Sequence, residues 1–201
     1  MTTVAELPAG FVDKVLSAQS TFRSVMDAMA RPGSVQRIAS AAGTPSAMMR
    51  GTAAMALTLF DHDTPVWLDA ATSATADVAN WLKFHTSAPV VADSSIASFA
   101  LVADPENLPA LDRFAFGSNE YPDRSTTLVL QVESLTDGPV VELQGPGIDG
   151  SAALRASIQP RDLFERLSIN AALFPRGIDV VLVHDDSIVA IPRTTRLVRG
   201  G

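Results

Sequence analysis

A helix ends and the chain reverses within the run Phe22-Arg23-Ser24-Val25-Met26-Asp27-Ala28-Met29-Ala30-Arg31-Pro32-Gly33. Pro32 disfavours helical geometry at Arg31, and Gly33 readily adopts the positive φ of the third position of a type II turn. Apolar residues in and before this run fall within a stripe about 120° wide at helical spacing, which is typical of a helix that buries one face. They are Phe11, Val15, Ala18, Phe22, Val25, Met26 and Met29. The sequence therefore predicts a long first helix followed by a type II turn.

Three more helices and eight strands are predicted from the rest of the chain. Apolar residues recur at helical spacing in residues 46–60, 74–85 and 161–173. Because residues 46–60 are mostly apolar, we expect that helix to be buried on more than one side. Short apolar runs bounded by turn residues predict strands at 34–38, 66–68, 89–92, 96–102, 127–132, 140–143, 178–183 and 187–191.

Two turns predict how some of these strands pair. The turn Thr136-Asp137-Gly138-Pro139 predicts an antiparallel hairpin between strands 127–132 and 140–143, and His184-Asp185-Asp186 predicts a second hairpin after it. Helices come early and hairpins late, so we expect an α/β fold with a mixed sheet and helices on its faces. The length of 201 residues suits a single domain that spans residues 1–201.

Composition restricts the classes of partner and chemistry. The chain has 22 acidic and 15 basic side chains, and its formal net charge of -7 disfavours nucleic acid and anionic membranes as partners. It has no cysteine, which excludes disulfides and thiolate nucleophiles. Glu6, Pro8 and Asp13 lie where a signal peptide needs a basic start and an apolar run. We therefore expect a cytoplasmic protein that binds neither nucleic acid nor membrane.

Seven blocks of the sequence resemble one protein family in the same order. Residues 22–33, which read Phe-Arg-x-x-Met-x-Ala-Met-Ala-Arg-Pro-Gly, are similar to the N-terminal signature of the H subunit of bacterial carbon-phosphorus lyase, a system that degrades phosphonates. The other six blocks reach nearly to the C-terminus and comprise residues 57–59 with 63–68, then 83–86, 128–132, 145–148, 174–179 and 191–195.

This resemblance implies a fold, partners and a role. The fold would be similar to the large domain of pyridoxal-phosphate-dependent transferases, in a family that has lost the cofactor. A complex of G, H, I and J subunits would couple methylphosphonate to the ribose of ATP, giving alpha-D-ribose 1-methylphosphonate 5-triphosphate with loss of adenine. The H subunit would be a homodimeric support rather than the catalytic chain. The alternative is an autonomous phosphonate- or nucleotide-binding protein or enzyme that uses a pocket on the same fold.

Arginines are the best candidates for binding a ligand or a partner. Two guanidinium groups and two hydroxyls follow the last predicted strand, a set that suits a phosphate or a partner's carboxylate: Arg193, Thr194, Thr195 and Arg196. An exposed C-terminal tail would have the same composition. Arg23 and Arg31 are weaker candidates, because Asp27 lies four residues before Arg31 and pairs well with it on a helix. We expect Arg193→Ala to leave the chain folded.

Histidines offer one further candidate. His85 ends a predicted helix beside Thr86, where it either contacts a ligand or stabilises the helix C-terminus as a cation; the second interpretation is favoured. His62 and His184 are each followed by aspartate, but both lie at breaks between elements, where turn and capping roles explain the carboxylates. We therefore expect no metal site.

Cofactor motifs are weak. Pyridoxal phosphate needs a lysine, and the chain has only Lys14 and Lys83, neither of which resembles a buried Schiff-base lysine. Residues 145–150 formally fit a dinucleotide fingerprint, yet they follow a predicted hairpin, and a tight turn that lets two backbones approach is the favoured interpretation. No nucleophile elbow or phosphate-binding loop is present. We expect no cofactor, and the sequence assigns no catalytic residue.

Overall fold

The computed structural model of the chain describes residues 7–39, 43–157 and 160–199. The helices of four or more residues in this part of the chain are α1 (Lys14–Ala30), α2 (Arg50–Leu59), α3 (Ala70–Ser73), α4 (Asp77–Thr86) and α5 (Leu163–Ala171). The strands are β1 (Gln36–Arg37), β2 (Val66–Leu68), β3 (Val90–Val91), β4 (Phe99–Val102), β5 (Thr127–Gln131), β6 (Val140–Gln144), β7 (Ala152–Arg155), β8 (Asp179–His184), β9 (Ser187–Ile191) and β10 (Arg196–Arg199).

Seven strands form the larger sheet, in the spatial order β1-β9-β8-β5-β4-β2-β3. Strands β3, β2, β4, β5 and β8 are parallel, whereas β9 runs antiparallel to both β8 and β1. The remaining strands form a small antiparallel sheet in the order β10-β6-β7. The α/β class and the mixed sheet predicted from the sequence are confirmed.

Side chains alternate between two cores, one on each face of the larger sheet. In β5, Val129 belongs to the core beneath α1, α2 and α4, while Leu128 and Leu130 belong to the core beneath α5 and the small sheet. The central strands are therefore buried on both faces, as is usual for parallel strands. Helix α2 is buried at every position from Gly51 to Ala56, which confirms the expectation for that segment.

One predicted hairpin is wrong and the other is confirmed. Strand β5 pairs with β4 and β8 in the larger sheet, whereas β6 pairs with β7 and β10 in the small one. The turn residues at 136–139 favour a reversal but do not specify a pairing. Strand β5, whose Leu128, Val129 and Leu130 are fully buried, belongs at the centre of a sheet that is buried on both faces. The hairpin of β8 and β9 forms as expected, with Leu182 opposite Val189.

Strands β7 and β10 were not predicted, and the other elements differ from prediction mainly at their ends. The helix predicted at 74–85 is α4, which begins three residues later and is preceded by the short α3. Of the predicted strand 96–102, only Phe99–Val102 forms a strand of the sheet, because residues 94–96 form a 3-10 turn capped by Asp93. Such shifts arise because the periodicity of apolar residues indicates that an element is present but does not specify the residue at which it begins or ends.

Helix α1 buries only part of the predicted stripe: Phe11 and Val25 are buried, and Ala18 and Met29 pack against the core. Thr21, Val25 and Ala28 are its buried residues. Three of the seven residues assigned to the buried stripe are largely exposed, namely Val15, Phe22 and Met26. The helix therefore has an inner face against the sheet and a second apolar row that faces solvent.

The turn after α1 forms as predicted and attaches the helix to the sheet. Ser34 N donates to Arg31 O at 3.1 Å, and Gly33 has a φ of 81°, which together define a type II turn. Gly33 N also donates to Ala190 O in β9 at 3.2 Å. Within the last turn of the helix, Arg31 and Asp27 form the expected ion pair at 2.9 Å.

Gly33→Val is expected to lower the free energy of unfolding by about 1–3 kcal/mol, because a β-branched residue is strained at positive φ. A Cβ at Gly33 would also lie 2.7 Å from Leu143 Cδ1. Gly150→Val is the matched control. Gly150 has a φ of 70° but no neighbour within 4 Å of an added Cβ, so this variant measures the effect of positive φ without the contact to a neighbouring side chain. Thermal melting measures both variants. An unchanged midpoint for Gly33→Val would contradict the turn assignment.

Candidate functional site

A buried carboxylate joins the carboxyl ends of β2 and β4. Asp69 directly follows β2 and is 5% exposed. Its Oδ2 accepts hydrogen bonds from the backbone nitrogens of Ala103 and Asp104, both at 2.8 Å. Its Oδ1 accepts from Thr72 N and Thr72 Oγ1, both at 2.7 Å. Both oxygens of Asp69 are thus used within the chain.

This position matters because open α/β sheets usually bind ligands there. From β2 the chain continues to β3 on one side, and from β4 it continues to β5 on the other, so the carboxyl ends of β2 and β4 flank a topological switch point. Ligands of such folds bind in the crevice outside these strand ends. In this chain the Asp69 carboxylate occupies the backbone donors that an anionic ligand would use.

A cavity of about 780 Å³ lies farther along the same edge, beside the ends of β4 and β5. Its walls come from the segments after these two strands, from the residue before α2, from the start of α5 and from two loop positions. The lining residues are Met49, Ala103, Asp104, Pro105, Glu106, Gln131, Val132, Glu133, Pro139, Ser157, Arg161 and Phe164.

The charge of this lining disfavours anions. Three carboxylates, those of Asp104, Glu106 and Glu133, face the cavity together with the single guanidinium of Arg161. The buried Gln131 is already satisfied, because its Oε1 accepts from Met49 N at 2.5 Å and its Nε2 donates to Ala47 O at 3.0 Å. The lining therefore repels a triphosphate or a phosphonate more than it attracts one.

A surface ion pair fixes the start of α2 near this edge. Arg50 Nε donates to Asp185 Oδ1 at 2.9 Å, and a second guanidinium nitrogen donates to the other oxygen. The hydrogen bond from Arg50 holds the pKa of the Asp185 carboxyl below its usual value. Since both side chains are about half exposed, the pair contributes to positioning more than to stability.

Arg193 points into the protein rather than toward a ligand. Its Nε donates to Asp179 Oδ1 at 3.1 Å and its Nη1 to Pro122 O at 2.7 Å, while its Nη2 donates to both Ser125 Oγ and Asp179 Oδ2. The side chains of Arg193 and Asp179 are only 13% and 15% exposed. The guanidinium thus connects the start of β8 to the loop before β5 through hydrogen bonds within the chain.

The other members of the C-terminal set do not converge with Arg193. Thr195 is 1% exposed, and its Oγ1 has no hydrogen-bond partner in the part of the chain that the structure describes. Thr194 is half-buried, and Arg196 is exposed at the start of β10. The four residues therefore do not form one binding surface.

The remaining candidates lie on helices α1 and α4. Arg23 is exposed on α1, and Arg31 is held by Asp27. His85 is half-buried near the end of α4, where its Nε2 donates to Pro8 O at 3.0 Å and its ring packs 4.8 Å from that of Trp81. These contacts give His85 a structural role at the junction with the segment that precedes α1.

The structure shows where the weaker motifs lie. Residues 145–150 form the turn between antiparallel strands β6 and β7, and a Cβ at Gly147 would lie 2.1 Å from Ala30 O, so this glycine lets two backbones approach. Lys14 and Lys83 are both exposed. Among residues 7–39, 43–157 and 160–199, no group of three His, Cys, Asp or Glu residues could hold a metal, and no helix could span a membrane.

Comparison with known proteins identifies the family. A family model described as bacterial phosphonate metabolism protein (PhnH) matches residues 9–198, nearly the whole chain. The chain belongs to the PhnH family. The resemblance inferred from the seven sequence blocks is therefore confirmed.

Two curated relatives agree with this PhnH assignment. Over 200 residues, 99% of this chain and 100% of the relative, the chain is 42% identical to the alpha-D-ribose 1-methylphosphonate 5-triphosphate synthase subunit PhnH of Rhizobium meliloti (strain 1021). It is 32% identical to a putative C-P lyase subunit protein, HtxG, of Stutzerimonas stutzeri, over 98% of this chain and 95% of the relative. The chain is thus related along its full length to subunits of phosphonate-degrading complexes.

Two of the blocks that resemble PhnH proteins meet in the fold. Block 174–179 contributes Asp179 and block 191–195 contributes Arg193, which form the inward ion pair described above. Sequence reasoning did not single out Asp69, although an aspartate directly after an apolar strand with threonine three residues later is a recognisable helix-capping signal.

Proposed function

We propose that this chain is a non-catalytic subunit of the carbon-phosphorus lyase core complex. In that complex it supports the formation of alpha-D-ribose 1-methylphosphonate 5-triphosphate from ATP and methylphosphonate by subunits G, I and J. The observation that carries the proposal is the full-length similarity to a PhnH subunit named for that synthase activity. A second full-length relative is also named as a subunit of a C-P lyase.

The side chains of the described residues support a role without chemistry of its own. The carboxylate at the switch point is bound by four donors of the chain, and Arg193 is bound by Asp179, Ser125 and Pro122. The cavity beside β4 and β5 has a net negative lining, which is unsuited to the anionic substrates ATP and methylphosphonate. Displacing adenine from ATP needs many kcal/mol of transition-state stabilisation, which convergent groups must supply.

We also propose that the chain forms a homodimer in the cytoplasm and has a fold similar to the large domain of pyridoxal-phosphate-dependent transferases, but without the cofactor. The seven-stranded mixed sheet with a core on each face supports the fold. Large apolar residues outside α1 that remain exposed on the single chain, such as Phe84 and Phe174, support self-association.

The cavity also favours a second candidate function, that of an autonomous ligand-binding protein or enzyme. Its volume falls within the range of about 300–1,000 Å³ that is usual for small-molecule sites. It also lies at the edge of the sheet where α/β folds bind ligands. Its acidic lining is the main observation against ATP or a phosphonate as that ligand.

Titration calorimetry separates the two functions. We expect the isolated chain to give no saturable heat with ATP or with methylphosphonate at micromolar to millimolar concentrations, because the cavity repels anions. The double variant Glu133→Gln, Glu106→Gln tests whether the carboxylates of the cavity exclude anions, since it removes two of the three carboxylates and leaves Arg161 in place. Saturable micromolar binding to the unmodified chain would support the autonomous function and contradict the accessory one.

A further inference from the structure

Helix α1 carries a row of exposed apolar side chains on its outer side. Their exposed fractions are 95% for Val12, which directly precedes the helix cap, 65% for Val15 and Leu16, 49% for Phe22 and 52% for Met26. Residues at this spacing lie on one side of a helix, and from Val15 to Met26 the row extends over about 17 Å at 1.5 Å per residue. We call these five residues together with Arg23 the α1 face.

Charge distinguishes the α1 face from the rest of the molecule. Residues 13–31 contain three basic and two acidic side chains, although the whole chain has a net charge of -7. Both acids are used locally: Asp13 accepts from Val15 N and Leu16 N as the helix cap, and Asp27 pairs with Arg31. Arg23, which lies beside the apolar row, remains exposed and available for a carboxylate from outside.

We propose that the α1 face binds an apolar, acidic-edged helix of a different protein chain of the core complex. Such a helix would cover the row with its own apolar residues and place a carboxylate against Arg23, as in helix-in-groove recognition. A second copy of this chain is a poorer match, because its α1 face would bring another Arg23 and acids that are already engaged. This inference rests on the proposed function and adds the surface that the other subunit contacts.

Co-purification of the reconstituted subunits tests the α1 face. The tagged full-length chain is mixed with the G, I and J subunits, and the retained amount of each is compared for wild type, Val12→Glu, Leu16→Glu and Arg23→Glu. We expect each glutamate variant to lose at least about tenfold of one retained subunit, which corresponds to about 1.4 kcal/mol of binding. Arg23→Lys should retain more than Arg23→Glu. Ile96→Glu, at a residue 59% exposed outside α1, is the control and should behave as wild type.

Sedimentation and thermal melting of the same variants complete the test. We expect unchanged melting midpoints and unchanged self-association. If Leu16→Glu is unstable, Val12→Glu still tests the inference, because the Val12 side chain is almost fully exposed and its replacement should not affect folding. Undiminished co-purification by folded variants would overturn the inference, as would a loss of self-association, which would assign the face to a second copy. Failure of the wild-type chain to co-purify at all would instead contradict the proposed function.

Discussion

Asp69→Ala is expected to lower the free energy of unfolding by on the order of 4 kcal/mol, because four hydrogen-bond donors lose a buried acceptor at once. The carboxylate bonds Ala103 N, Asp104 N and both donors of Thr72, all at 2.7–2.8 Å. Folded domains are stable by only about 5–15 kcal/mol, so the variant should lie close to its unfolding threshold. Urea denaturation followed by circular dichroism measures the loss.

Two further variants show whether the long-range bonds of Asp69 carry this effect. Asp69→Asn keeps the shape but turns an amide toward N–H donors, so we expect a loss of about 2–3 kcal/mol. Asp93→Asn is the control, because Asp93 caps Ser95 through the same kind of local bonds but is exposed and ties no strands together. We expect it to lose at most about 1 kcal/mol. Equal losses at Asp69 and Asp93 would contradict the assigned role.

Arg193→Ala is expected to destabilise the chain by about 3–5 kcal/mol, since removing one partner leaves a nearly buried charge on Asp179 without compensation. The sequence instead led to the expectation that Arg193→Ala leaves the chain folded, with Arg193 a candidate for binding a ligand or a partner. The structure argues against that expectation because Nε, Nη1 and Nη2 all donate to groups of the chain. Chemical denaturation of the purified variant gives the difference.

An exposed ion pair and a double variant serve as controls for Arg193. Arg37→Ala removes a pair with Asp186 in which the arginine side chain is 79% exposed, so the loss should be below about 1 kcal/mol. Arg193→Met with Asp179→Leu removes both charges and should recover part of the stability lost in Arg193→Ala. A folded Arg193→Ala with wild-type stability would show that the guanidinium is free for a ligand or partner.

Local patterns in the sequence predicted local structure well. The type II turn at Arg31–Ser34 requires only Pro32 and Gly33, and the hairpin of β8 and β9 requires two apolar runs and a short turn. The mixed α/β class followed from the order of the elements. The turn and the hairpin each depend on residues that are close together in the chain.

Features that depend on distant residues could not be predicted in the same way. The pairing of β5 with β4 and β8 is set by which strands share a doubly buried sheet, and turn residues at 136–139 carry no information about that. Asp69 accepts hydrogen bonds from Ala103 and Asp104, which lie 34 and 35 positions away in the sequence. Arg193 donates a hydrogen bond to Pro122, which lies 71 positions away. A sequence pattern identifies such a side chain as polar but does not show which groups it hydrogen-bonds to in the fold.

The outer row of α1 illustrates the same limit for the candidate site. Apolar periodicity placed Val15, Phe22 and Met26 on a buried face, yet a helix of one chain can bury one stripe against its own sheet and another against a partner. The sequence reports that a residue is suited to burial, not which molecule covers it. Arg23 lies beside this row and is exposed, whereas Arg193 is held by Asp179 inside the chain.

Adenine release by the reconstituted subunits shows whether this chain is an accessory subunit or the enzyme. ATP and methylphosphonate are supplied to the G, I and J subunits with and without this chain, and to this chain alone. We expect adenine release to fall by at least about tenfold when the chain is omitted, a loss of about 1.4 kcal/mol in transition-state stabilisation. We expect no release by the chain alone. Release by the isolated chain at the rate of the full set would contradict the accessory role and establish the chain as the enzyme.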